Sequence, residues 1–152
     1  MTGNITSLLQ NSELFKGFNQ EQFQWILDNV PPKEITLKNR EPLYQQGDIA
    51  DKCWLIKSGK FLVERPSLRN PYRNVDYEVG AITGLHGIVE PGIPRAVTLI
   101  ADGEVELVEI KGTSFDHLDS DTRAVLFQNI SRILINKLFE CRTSLSYWED
   151  YR

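Results

Sequence analysis

Few residues of this chain have the type and spacing that catalysis or metal binding needs. The two histidines, His86 and His117, have no metal-ligand spacing around them. Asp116 and His117 are neighbours, but no Gly-x-Ser-x-Gly elbow exists to supply a serine nucleophile. Ser58-Gly59-Lys60 lacks the upstream glycine of a phosphate loop. Gly80, Gly84 and Gly87 lack the strand and long helix of a dinucleotide fingerprint. Cys53 and Cys141 are distant from one another and give neither a disulfide framework nor a metal set. A chain with these residues is expected to be no enzyme and to hold no metal.

The surrounding composition narrows the class further. The chain has 152 residues, with 21 acidic and 17 basic side chains and a formal net charge of −4. One domain is expected, long enough to bury a core without disulfides or metal. Hydrophobic residues make up 41% and charged residues 25%, which fits a globular chain rather than a disordered one. A pI near 5.2 argues against nucleic acid as a partner, because phosphate contacts need clustered Lys and Arg. The N-terminus, MTGNITSLLQ, has no basic segment or long apolar run, and no stretch approaches the ~18 apolar residues of a membrane span. A cytoplasmic location without membrane insertion is expected, so the sequons at Asn4 and Asn129 carry little weight.

Three kinds of segment must position any site. Residues 5–30 read as short amphipathic helices, with Leu8, Leu9, Leu14, Phe15, Phe18, Phe23, Ile26 and Leu27 as their apolar face. Asn19 followed by Gln22 forms a capping-box pattern, and Pro31-Pro32 ends the helix. From Lys33 to Ile110 the pattern shifts to short β runs with turn signals, which predicts a small β barrel or roll. Two hairpins are expected, one turning at Ser58-Gly59 and one at Asp102-Gly103. Residues 64–78 read as an exposed connection. From Asp119 the period is helical again, with Asp119, Ser120 and Asp121 available as caps. Leu126, Ile130, Ile133, Leu134, Leu138 and Phe139 form a broad apolar face, expected to pack on the roll. The segregation is α+β. The expected organisation is a helical segment at 1–32, a roll at 33–112, and C-terminal helices with an aromatic tail at 113–152, all within one domain.

In this order the segments resemble the cyclic nucleotide-binding domain, the β-roll module of catabolite-activator-type regulators, cyclic-nucleotide-dependent kinases and gated channels. The likeness covers roughly residues 8–140. It rests on Leu14-Phe15-Lys16-Gly17-Phe18, on the run from Gln46-Gly47-Asp48 through Trp54-Leu55-Ile56 to Ser58-Gly59-Lys60, on Gly80, and on Pro94-Arg95-Ala96-Val97-Thr98-Leu99-Ile100-Ala101. The resemblance implies a double-stranded β-helix or jelly-roll barrel, with a phosphate-binding cassette at 80–98.

In that family a Gly and a Glu begin a short helix, the Glu holds the ribose 2′-hydroxyl, and an Arg pairs with the cyclic phosphate. A helix start offers free N–H groups, and a guanidinium offers a charge-assisted fork. The resemblance therefore assigns ligand contacts to Gly84, Leu85, His86, Gly87, Ile88, Arg95 and Ala96, with Arg95 as the phosphate anchor. The family's Glu falls on Leu85, or on His86 in a cassette one residue shorter, and neither is a carboxylate. An unpaired buried hydroxyl costs about 1–3 kcal/mol, roughly ten- to a hundredfold in affinity. His86 is either a polar loop residue or a replacement acceptor. Val97 stands where the family usually has Ala. Tyr147 or Trp148 is the candidate lid that stacks on the base.

Two functions follow from the resemblance. One is a regulatory module that binds a cyclic nucleotide, cyclic AMP or cyclic GMP, and signals through its C-terminal helices. The other is a ligand-independent module that uses those helices to hold a protein partner or a second copy. About a dozen residues follow Glu140, too few for a three-helix DNA-binding domain, so a stand-alone module is expected.

Overall fold

A computed structural model describes residues 2–64, 72–75 and 79–149. Helix α1 (Thr2–Gln10) leads through a 3-10 turn at Glu13–Phe15 into α2 (Gln20–Asn29). The capping box is present in full. Asn19 Oδ1 accepts from the Gln22 amide at 2.8 Å, and Gln22 Oε1 accepts from the Asn19 amide at 2.9 Å. Leu14 and Phe15 are buried, so the Leu-Phe-Lys-Gly-Phe run anchors the N-terminal helices to the core.

Among the described residues six strands follow: β1 (Lys33–Leu37), β2 (Pro42–Tyr44), β3 (Lys52–Glu64), β4 (Tyr72–Val75), β5 (Ile82–Thr83) and β6 (Thr98–Lys111). They form one antiparallel sheet in the order β1-β6-β3-β4, with β2 also on β6 and β5 also on β3. The two expected hairpins are corrected. Each is a single long strand, and β3 pairs with β6 from Lys52↔Lys111 to Glu64↔Thr98. The glycine signals mark a shared bend instead of turns. Ser58 faces Glu106 and Lys60 faces Asp102, so two residues on β3 span four on β6. This is a bulge, which bends a ribbon without reversing it. Gly59 adopts φ +113°, and a Cβ there would sit 2.9 Å from the Val105 Cα. The connection expected at 64–78 is also corrected, since β3 runs to Glu64 and β4 pairs with it. Residues 65–71 and 76–78 lie outside the described residues.

Alternation along the ribbon builds two cores. Cys53 and Leu55 of β3, with Val108 and Ile110 of β6, join Leu9, Leu14, Phe15, Ile26, Leu126 and Ile130 on the helical side. Trp54, Ile56, Phe61 and Val63, with Leu99, Val105 and Leu107, fill the inside of the roll.

Helix α4 (Ser120–Glu149) begins at the expected cap, where Asp119 Oδ1 accepts from the Thr122 amide at 2.7 Å. That bond holds the Asp119 carboxyl below its ordinary range. The helix is one continuous element through Glu149, not a helix followed by a tail. Its apolar face divides. Leu126 and Ile130 are buried, but Leu134, Ile135, Leu138 and Phe139 are 43–59% exposed, so the expectation that the whole face packs on the roll is corrected. Among the described residues no helix is long and apolar enough to cross a membrane.

Asn129 fastens α4 to the N-terminal turn. It is 2% exposed, and its Nδ2 donates to Leu14 O at 2.9 Å and to Lys16 O at 2.8 Å. Both amide hydrogens are spent, which leaves this sequon asparagine inaccessible in the folded chain. Asn129→Leu is expected to lower stability by about 2–3 kcal/mol, because it leaves two inward carbonyls without donors. Urea unfolding of the variant measures this.

Candidate anion-binding site

The cassette's end is laid against the Gln46-Gly47-Asp48 run by backbone bonds. The Gly47 amide donates to Arg95 O at 2.9 Å, the Arg95 amide to Asp48 O at 2.7 Å, and the Ala50 amide to Ile93 O at 2.9 Å. Asp48 also closes its own turn, its Oδ2 accepting from the Gln45 amide at 2.9 Å. The motif thus fixes the backbone from which the Arg95 side chain departs.

That side chain turns inward. Pro94 and Ala96 are exposed, yet Arg95 is only 5% exposed. Its Nη2 donates to Lys52 O at 2.7 Å and its Nη1 to Gly84 O at 3.1 Å. Its Cζ lies 4.7 Å from the Tyr44 ring centroid and 5.2 Å from that of Trp54. The two rings stack on each other at 5.7 Å with 24° between planes. Among the described residues no carboxylate comes within ion-pair distance of the guanidinium; the salt bridges there join Lys52 to Glu109 and Lys57 to Glu34. Burial pulls the guanidinium below its ordinary pKa, although arginine stays cationic in proteins. The site therefore holds a positive charge stabilised by carbonyl dipoles and π faces, with the Asp51 and Asp48 carboxylates acting on it from beyond ion-pair distance.

Gly84 leads into a single helical turn, α3 (His86–Val89). Gly84, Leu85, His86, Gly87 and Ile88 come together there, beside Arg95. The amides of Gly87, Ile88, Val89 and Glu90 are spent inside the turn, on the carbonyls of Gly84, Leu85 and His86. Leu85 and His86 are left as the turn's first amides, with no acceptor among the described residues. Leu85, Gly87 and Ile88 are buried, and His86 is exposed. Leu85 packs into the helical-side core. Glu90 is exposed.

Sequence reasoning missed three participants. Tyr44 ends a strand of three residues and carried no motif. The Lys52 carbonyl is a backbone atom that side-chain patterns do not reveal. Trp54 is core, as expected, but its ring also faces the guanidinium, and its buried Nε1 has no acceptor among the described residues. Helix α4 reaches the same region through Lys137, whose Nζ donates to Ile82 O at 2.7 Å, two residues before Gly84. The side chains of Tyr147 and Trp148 lie outside the described residues.

A helix-flanked β-roll whose last strand is preceded by an arginine-bearing segment defines the class of fold. Residues 34–121 match the family model described as the cyclic nucleotide-binding domain, and the chain belongs to that family. No curated protein matches the sequence. Solved structures share the fold. The N-terminal domain of a transcriptional regulator from Streptomyces coelicolor A3(2) has a TM-score of 0.68 at 21% identity, over 88% of this chain and 94% of that one. The catabolite activator protein of Thermus thermophilus gives 0.69 at 22% identity, over 91% of this chain and 63% of that one. The regulatory domain of Toxoplasma gondii PKA, co-crystallised with cAMP, gives 0.64 at 20% identity, over 86% of this chain and 49% of that one. The chain spans less than two thirds of the latter two.

Proposed function

We propose that the chain is a non-enzymatic regulatory module that binds a cyclic nucleotide or a related anion at Arg95 and reports occupancy through α4. One observation carries this reading: a guanidinium 5% exposed with no carboxylate within ion-pair distance among the described residues. A buried charge without a counter-ion is costly, and a singly charged cyclic phosphate diester would neutralise it. Gly84, Leu85, His86, Gly87 and Ile88 form the turn that faces the ligand, with the Leu85 and His86 amides as donors and Ala96 at its rim. The cyclic AMP carried by the Toxoplasma regulatory domain makes that nucleotide the first probe. Occupancy reaches α4 through the Gly84 to Ile82 segment, which Lys137 grips. Calorimetry with cyclic AMP and cyclic GMP on the wild type and Arg95→Ala tests the anchor. Saturable binding that survives the substitution unchanged overturns it.

A second reading, a ligand-independent interaction module, is favoured by the guanidinium's internal bonds and by the exposed Leu134, Ile135, Leu138 and Phe139. It expects no nucleotide heat at millimolar concentration, and self-association or partner capture that is lost when Leu134, Leu138 and Phe139 are replaced by Ser.

A further inference from the structure

We infer that Tyr44 is a built-in cover for the Arg95 guanidinium, and that an anion gains the site by displacing this ring. The inference rests on the anion-binding reading above and names how that site is controlled.

Two observations meet here. The guanidinium is buried although the residues on both sides of it are exposed, so what hides it is the packing around its own side chain. Its Cζ stands closer to the ring of Tyr44 than to that of Trp54, at 4.7 Å against 5.2 Å. The rings differ in burial and in how their strands are held. Trp54 is 5% exposed and sits on β3, paired with Glu109 of β6 on one side and with Thr83 of β5 on the other. Tyr44 is half-buried at the end of β2, whose short pairing with β6 has a register irregularity between Pro42 and Tyr44.

The backbone flanking Tyr44 is nonetheless held. The Gln45 amide donates to Asp48 Oδ2 and the Gln46 amide to Thr98 Oγ1, each at 2.9 Å. The movement is therefore a swing of the Tyr44 side chain on a fixed strand. The ring and an incoming phosphate compete for one face of the guanidinium. Resting affinity is reduced by the fraction of molecules in which the ring is displaced.

The test compares the wild type with Tyr44→Phe, Tyr44→Leu and Tyr44→Ile, each checked for folding by thermal melt. In nucleotide-free protein, phenylglyoxal modification of Arg95 is followed by peptide mass mapping. Arg95 is expected to react slowly in the wild type and Tyr44→Phe. It should react roughly threefold to thirtyfold faster in the Leu and Ile variants, the span of a cation–π contact. Cyclic AMP affinity should rise by a similar factor in those two. An unchanged Arg95 rate in the folded aliphatic variants overturns the cover. Weaker cyclic AMP binding in them overturns it too, since Tyr44 is then a ligand contact. Faster modification with no cyclic AMP binding in any variant sustains the cover and rejects the anion-binding reading.

Discussion

Arg95→Ala is expected to abolish saturable cyclic AMP binding and to lower stability by about 1–3 kcal/mol. The loss of binding follows from removing the cation that the proposed function makes the anion's anchor. The loss of stability is separate. Lys52 O and Gly84 O each lose a charge-assisted donor, at 2.7 and 3.1 Å, and the Tyr44 and Trp54 rings lose the group that spans them. Against these stands relief from burying an unneutralised cation, which is why the net cost is smaller than the sum of the lost contacts. Arg95→Lys keeps the charge but not the planar fork, so it should recover only part of the stability and leave one carbonyl unbonded. Urea unfolding and calorimetry on the two variants separate these effects. A stability of Arg95→Ala equal to the wild type would show that relief from burying the cation offsets the lost carbonyl bonds in full.

The second large effect requires no charged residue. Gly87→Ala is expected to lower stability by about 1–3 kcal/mol, or more, and to disable the site. A Cβ at Gly87 would run into the backbone N and O of Lys52. Those atoms belong to β3, which is paired along its length with β6 and cannot yield. Helix α3 would have to move away instead. That shift would stretch both Arg95 bonds together, because Lys52 O is the atom struck and Gly84 O accepts the Gly87 amide. Gly112→Ala should act alike from the other side, since its Cβ would meet Gly87 O. Phenylglyoxal mapping of Arg95 in Gly87→Ala should show faster modification than in the wild type. Unchanged stability and reactivity would mean that α3 is not wedged against β3.

Much of this was legible in the residues. The capping box at Asn19 and the cap at Asp119 are local chemistry, and each formed as its side chains require. The roll and its cassette followed from motif order, and the Gly84–Ile88 turn does meet Arg95. The errors share a physical cause. Gly59 and Gly103 are the residues a turn needs, but a bulge needs them too, and only the partner strand decides between the two. The depth of Arg95 was hidden because a single arginine after a proline normally reads as surface. Tyr44 and Asn129 act through backbone carbonyls or ring faces far away in sequence, which no window of neighbouring residues exposes. The face of α4 looked uniform because periodicity reports which side of a helix is apolar, not how far along the helix its partner extends.

The β3–β6 ribbon also has a consequence for how the chain can change. Glu64 pairs with Thr98, so the stretch between them in sequence, which holds β4, β5, α3 and Arg95, starts and ends at one end of the ribbon. Closing such a loop costs only a slowly growing entropy as its length varies. Changes of length or residue type between those ends leave the Glu64–Thr98 pairing untouched. The segment that carries Arg95 is thus a cartridge clipped to the frame, open to change where the ribbon itself is not.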